Sequence, residues 1–327
     1  MDSAVAGLRA HQNKLDVIGN NIANVNTNGF KSQNYTFKDA MYETSSASSG
    51  GEADNTGKAT IGGANPSQYG FGSMTGAITT DMSSSTPTYV GGFNANINGA
   101  GFFITKSSND EITGLKSTNN TDDIEADSEI IKAAKFSYTR VGQFSIDANG
   151  YMVDANKNFV YGYQPQGSLQ NPTAYDTKKL TALRAPSSIP ANSADLSGAF
   201  KGQAMQLKSV EIDNDGVIKG TVTNENGEAV SIVIGKTAIA SFQNQEGLMK
   251  AGNNTFNASV GDNTGLVTAS QPGGSTPSLM SGYLEASNVD LAKEFSEMIT
   301  TERGFQANAK LITVSDEVLQ ELVNMKR

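Results

Sequence analysis

Leu8, Leu15 and Ile22 recur every seventh residue near the start of the chain, and Ala4, His11, Ile18 and Val25 form a second column beside them. This spacing predicts an amphipathic helix over residues 4–25 with a coiled-coil seam of about three heptads. Asn24, Asn26, Thr27, Asn28 and Gly29 then stop it, with Gly29 suited to a left-handed conformation. The far end repeats the pattern over a longer run: Leu284, Leu291, Met298, Phe305, Ile312 and Leu319 are all seven residues apart. A second stripe of Leu311, Val318, Leu322 and Met325 widens the apolar face near the end, and Asn288 with Asp290 can cap the start. A helix over about 289–325 would be roughly 55 Å long, too long and too one-sided to stand alone.

Between these ends helical periodicity almost vanishes. Residues 41–90 are rich in Ser, Gly and Thr and read as extended linker with little core. From Phe93 strand signals take over. Ile97, Asn98 and Gly99 suggest a turn, and Gly101 to Ile104 a buried strand. Phe144 to Asp147 and Tyr151 to Val153 flank a hairpin turn at Asp147-Ala-Asn-Gly150, and the pattern recurs around Asp213-Asn-Asp-Gly216. Residues 107–135 are polar and acidic and read as an insertion in a strand connection, and 271–278 as a return linker.

The predicted class is α+β, mainly a β body. Its N- and C-terminal coiled-coil helices are expected to pair and to be joined to that body by extended linkers. The expected boundaries are 1–40 with 284–327 for the helical domain, 41–90 and 270–283 for the linkers, and 91–269 for the β-rich domain. Each terminal helix lacks a partner for its apolar stripe, so the two ends must meet in space. Even paired, they would show apolar surface, and packing against neighbouring copies would remove it from water at roughly 25 cal/mol per Å².

Composition narrows the chemistry. Of 327 residues only 37% are hydrophobic and 17% charged, with no Trp and 8 Pro, which fits a turn-rich β body with a thin core. The net charge of −9 disfavours nucleic-acid binding. With no cysteine and a single histidine, His11, a nucleophilic triad or a Cys/His metal site has almost nothing to use, and no catalytic residue or cofactor is expected. His11 falls in a seam column, where packing or polar register is its expected role. Asp213-Asn-Asp-Gly216 has its Gly at the wrong position for a calcium loop, and the Gly70, Gly72, Gly76 spacing fails the dinucleotide pattern. The carboxylates Asp122, Asp123, Glu125 and Asp127 sit in the polar insertion and read as solvated. The sequons at Asn34, Asn119, Asn253 and Asn257 are expected by chance in an Asn-rich chain. No window approaches the ~18 apolar residues of a membrane span, and the first thirty residues lack the pattern of a cleavable signal.

Against this background, the segment LDVIGNNIANVNTNGFK (residues 15–31) closely resembles the N-terminal signature of the flagellar rod and hook family. Residues 282–327, beginning GYLEASNVDLAKEF, resemble its C-terminal signature, and INGAGFFI, YTRVGQFSIDANGYMV and IASFQNQEGLMKAGNNTF add matches in the β body. The motif residues are Asn20, Asn21, Asn24, Gly29, Phe30, Asn288 and Asp290. Residues 287–294 and 307–310 are more like hook than distal-rod subunits, and the distal rod is the alternative. The start lies a few residues later than the family's usual one, and 165–205 is short for the outer domain many hook subunits carry. The resemblance implies export by the flagellar type III apparatus and polymerisation beneath a cap into a tube joining rod to filament. The terminal helices would line that tube and the β body would form its outer mesh. The partners so implied are copies of the chain itself and the rod, hook-cap and hook–filament junction proteins, with neither nucleic acid nor membrane insertion.

Overall fold

A stop signal in the sequence and a cap in the structure coincide at both helix ends that matter. In a computed structural model that describes residues 2–53, 59–113, 124–186, 206–223, 227–274 and 276–325, three α-helices appear: α1 (Asp2–Ala23), α2 (Ile124–Ala133) and α3 (Leu291–Met325). At the end of α1 the Asn24 side chain donates to the Asn20 carbonyl and to Asn20 Oδ1, folding back on the last turn. At the start of α3 the Asp290 carboxylate accepts from the backbone N–H groups of Ala292 and Lys293, an N-cap. The rest is strand and turn, so the α+β class with a predominant β body holds.

The chain divides into two units. The first comprises residues 1–25, 32–81 and 289–327. Here α1 and α3 run antiparallel, and α1 also packs on a β ribbon in which Gln33–Asp39 pairs with Ser73–Thr80. Tyr42–Ser46 with Ser67–Gly70, and Glu52–Ala53 with Ala59–Ile61, continue as antiparallel pairs. The expected linker over 41–90 is therefore largely hydrogen-bonded strand. Its strands pair through the backbone while every residue of Tyr42–Ser46 and Ser67–Gly70 stays exposed. No alternation of buried apolar residues was there to be seen in the sequence.

The second unit comprises residues 26–31 and 82–288. Its main sheet is antiparallel, in the spatial order Gln206–Ile212, Val217–Thr223, Ala229–Thr237, Phe159–Tyr163, Phe102–Lys106, Ser137–Thr139, Thr255–Asn257, Met249–Gly252. Period-2 alternation sends Phe102 and Ile104 into one apolar cluster and Phe103 into another. Both expected hairpins are present. Phe144–Ile146 pairs with Met152–Asp154 across a turn in which Gly150 has φ 85°, and Gln206–Ile212 pairs with Val217–Thr223 across a turn in which Gly216 has φ 74°.

Two further expectations change. The insertion at 107–135 contains α2, whose Ile131 is buried in the first cluster and whose Lys132 meets Asp262 at 3.0 Å. Asn119, Asp122 and Asp123 lie outside the described residues. The return segment 270–283 is woven into the unit rather than free: Leu279–Ser281 pairs with Ala95–Ile97, and Tyr283–Glu285 with Pro87–Tyr89.

Candidate functional site

Small residues, more than heptad leucines, set the approach of α1 to α3. A Cβ placed on Gly304 would lie 2.7 Å from His11 Cε1, and one on Gly7 would lie 3.0 Å from the Asn308 side chain. Each glycine thus leaves room for a polar side chain of the facing helix. Ala10 and Ile18 are buried on α1, Thr301 on α3, and Lys14 meets Glu297 at 3.0 Å. The single histidine stacks obliquely on Phe37, with ring centroids 5.2 Å apart, and its Nδ1 is buried with no hydrogen-bond partner. Burial, and secondarily the Lys14 charge, hold its pKa below the ordinary histidine value.

The predicted seam is only partly assembled. Leu8, Leu15, Ile22 and Val25 are half-buried beside the buried Ile18, and Met298, Phe305 and Ile312 are half-buried across from them. Leu291 and Leu319 are exposed. Leu284 is not on the helix at all. It is buried in the strand Tyr283–Glu285 of the second unit, six residues before the Asp290 cap, so its seven-residue spacing to Leu291 is coincidental.

Of the motif asparagines, Asn21 has the most demanding role. Its amide donates to the Gln33 carbonyl at 2.8 Å and to Glu294 Oε1 at 3.1 Å, and its oxygen accepts from the Gln33 N–H at 2.9 Å. One buried side chain thereby joins the end of α1, the first strand of the ribbon and the first turn of α3. Only an amide has both donors and an acceptor in this arrangement. Burial pushes the Glu294 carboxyl above its ordinary pKa, the Glu297 charge adds to this, and the Asn21 hydrogen bond opposes it. Asn20 is exposed and serves through Asn24.

Gly29 and Phe30 belong to the second unit. Gly29 has φ 69°, donates to the Glu285 carbonyl at 2.8 Å, and packs so closely on Val141 that a Cβ would meet its Cγ2 at 2.8 Å. Phe30 is buried beneath the Lys250 ammonium, which lies 4.6 Å from the ring centroid and donates to the Lys31 carbonyl at 2.7 Å. Asn288 donates its backbone N–H to the Phe30 carbonyl at 3.4 Å.

The sequence alone did not reveal the centre of this region, an ion cluster of Lys31, Arg140 and Glu285. All three side chains are at most 3% exposed. Arg140 donates Nε to Glu285 Oε2 at 2.7 Å and Nη2 to Oε1 at 3.1 Å, the bidentate fork of strong guanidinium–carboxylate pairs. Its Nη1 donates to the Gly99 and Gly101 carbonyls. Lys31 Nζ donates to Glu285 Oε1 at 2.9 Å and to the Ser83 carbonyl, and the Ser85 N–H adds a further donor to Oε1. Burial alone would push the Glu285 carboxyl up. The Arg140 hydrogen bond and the charges of Arg140 and Lys31 outweigh it and hold the pKa below the ordinary value. Five stretches distant in sequence, around 29–31, 83–85, 99–101, 140 and 285, are thus held at one point. Lys31, Arg140 and Glu285 each lie in a family-like motif, but only the fold brings them together.

The charges of Lys31, Arg140 and Glu285 are buried and bonded to one another. Among the described residues no group of three His, Asp or Glu side chains could hold a metal ion, and no described helix is long and apolar enough to cross a membrane.

Comparison with known proteins gives this arrangement its context. Residues 1–31 match the family described as flagella basal body rod protein, and residues 280–325 the C-terminal family of the flagellar basal body rod FlgEFG proteins. The flagellar basal-body rod protein FlgG of Bacillus subtilis is 36% identical over 327 aligned residues, covering 99% of this chain and 98% of that protein. The flagellar hook protein FlgE of Borreliella burgdorferi is 28% identical over 447 aligned residues, with 99% and 98% coverage. FlgE of Salmonella typhimurium is 27% identical over 426, with 99% of both chains covered. Matching signatures at both ends, and end-to-end similarity to these proteins, make this chain a member of the flagellar rod and hook family of structural proteins of the bacterial flagellum.

Proposed function

We propose that the chain is a polymerising subunit of the flagellar hook, the joint that transmits torque from rod to filament. The observation that carries the polymer reading is the state of α3. Beyond Ser315 every residue to Met325 is exposed, including Val318, Leu319, Leu322, Val323 and Met325. A helix with so much apolar surface in water is incomplete as a monomer, and copies of the same chain supply the missing contacts. On this reading α1 and α3 form the inner tube and the β body the outer mesh. The partners are further copies, the rod, the hook cap, the hook–filament junction and the export apparatus.

The choice of hook rests on residues 287–294 and 307–310, which are more like hook than distal-rod sequences. The distal rod is the second reading, and a specific observation favours it. The Bacillus rod protein aligns over 327 positions, whereas the hook proteins need 426 and 447 to align and so carry segments with no counterpart here. Electron microscopy of polymer grown from the purified full-length chain separates the two. Curved tubes that change curvature with conditions are expected, tubes that stay straight under all conditions would assign the chain to the rod, and a chain that remains monomeric at high concentration would remove both.

A further inference from the structure

In a chain whose net charge is −9, cations generally find a carboxylate: in the β body Lys132 meets Asp262 and Lys219 meets Asp213, each at 3.0 Å. Arg184 and Lys208 have no such partner among the described residues, and both line one cleft of about 610 Å3. The turn over 147–150 forms one wall of this cleft, and residues 207–210 of the strand Gln206–Ile212 form the other. The single carboxylate in its lining, Asp147, is turned to its own hairpin, where Oδ1 accepts the N–H groups of Asn149 at 2.9 Å and Tyr151 at 2.7 Å. Arg184 is held in place. Its Nε donates to the Asn149 carbonyl at 3.0 Å and its guanidinium lies 4.9 Å from the centroid of the Tyr151 ring, which leaves both Nη groups free for a ligand. The second wall is also open along its backbone. Gln206–Ile212 is the last strand of the main sheet and pairs with Val217–Thr223 alone, so among the described residues its outer N–H and C=O groups meet no neighbouring strand.

We propose that this cleft binds an extended acidic peptide segment of a partner protein, laid as an added strand along the outer edge of Gln206–Ile212, with its carboxylates on Arg184 and Lys208. Main-chain hydrogen bonds hold such a strand whatever its sequence, and the two cations choose which sequences enter. Lys208 is the extra residue where the register with Val217–Thr223 shifts between Leu207 and Ser209. A lysine at a bulge keeps ordinary strands off an exposed edge. Against a carboxylate-bearing strand the same charge becomes attractive, so one residue both rejects and selects.

The test is fluorescence anisotropy of a labelled short peptide of alternating Thr and Glu, added to the full-length chain at a concentration where sedimentation shows monomer. Binding that weakens with added salt is expected, with a loss of about tenfold for each of Arg184→Gln and Lys208→Gln. Both positions are exposed, and near-UV circular dichroism checks that the variants fold as the parent does. The same peptide N-methylated at alternate residues, which keeps its charge and removes strand donors, should bind at least as poorly as the peptide does to the double variant. Absence of binding at millimolar peptide would overturn the proposal, and so would unchanged binding by the double variant. Equal binding of the N-methylated peptide, or displacement by free glutamate or inorganic phosphate at the peptide's own concentration, would show a plain anion site and overturn strand addition.

Discussion

Replacing Glu285 by Gln removes one negative charge and almost no volume from the centre of the ion cluster. The new amide keeps one acceptor oxygen but turns an NH2 group toward either Arg140 or Lys31, and it takes the carboxylate charge away from both buried cations. Removing one partner from a buried, hydrogen-bonded ion pair costs about 3–5 kcal/mol, because the remaining charge stays desolvated. At about 2–4 °C per kcal/mol for a unit of this size, the β body should melt roughly 6–20 °C lower. Lys31→Met should cost less, about 1–2 kcal/mol, since the bidentate Arg140 pair survives it. The pH dependence supplies an independent check. The folded pKa of Glu285 lies below its unfolded value, so its contribution is fully present above the unfolded carboxylate range and is lost as pH falls through the folded pKa. The gap between the parent and Glu285→Gln should therefore narrow on acidification. Tyr138, Tyr161 and Tyr163 are buried in this unit, and near-UV circular dichroism during urea unfolding follows these rings together with the buried Tyr35 of the helical unit. Equal urea midpoints at pH 7, or a gap that widens toward low pH, would refute the account.

Three further outcomes are expected. Gly304→Ala should weaken the α1–α3 contact by about 1–3 kcal/mol, the range for overpacking, seen as faster amide exchange in both helices with the β body unchanged. The lowered pKa of His11 makes its contribution to the helix pair present above the unfolded value and lost as pH falls through the folded one; protection of α1 amides, taken relative to their intrinsic exchange rates, should fall on acidification, and His11→Gln should flatten that part of the profile. Asp290→Ala removes the N-cap of α3 and should lower the stability of the helix pair by about 1 kcal/mol, measured by helical circular dichroism on heating.

How much of this could be read from the sequence depended on whether a feature was local. The hairpin turns were legible because Asp147 to Gly150 and Asp213 to Gly216 carry their own conformational chemistry. The two helices and their caps were legible for the same reason. Leu284 was misplaced because a seven-residue period continues arithmetically into a segment that is a strand, and nothing in the period itself marks the cap that ends it. The paired strands within 41–90 were taken for linker because they are held by main-chain hydrogen bonds with little burial. Lys31, Arg140 and Glu285 were invisible as a cluster, since their separation in sequence reaches 254 residues and no periodicity relates them.

A polymer subunit has to reconcile a unit that is stable by itself with a surface that is satisfied only by assembly, and the two units of this chain place those demands apart. In the β body the charges of Lys31, Arg140 and Glu285 are buried and bonded to one another, so this cluster asks nothing of a neighbour. In the helical unit the opposite holds. Ten large apolar side chains of α3 are exposed, and burying each more completely would gain on the order of 1 kcal/mol. Bringing two copies together costs about 4–15 kcal/mol in lost freedom of motion, so a single junction that covers part of this surface lies near balance. Isolated pairs should then be scarce. A copy arriving at the end of an existing polymer meets several neighbours while losing its freedom only once, which makes growth from an end favourable where pairing in solution is not. Sedimentation of the purified chain should accordingly show monomer up to a threshold concentration and long polymer above it. A substantial population of dimers below that threshold would mean that one junction suffices and that the energetic division drawn here is wrong.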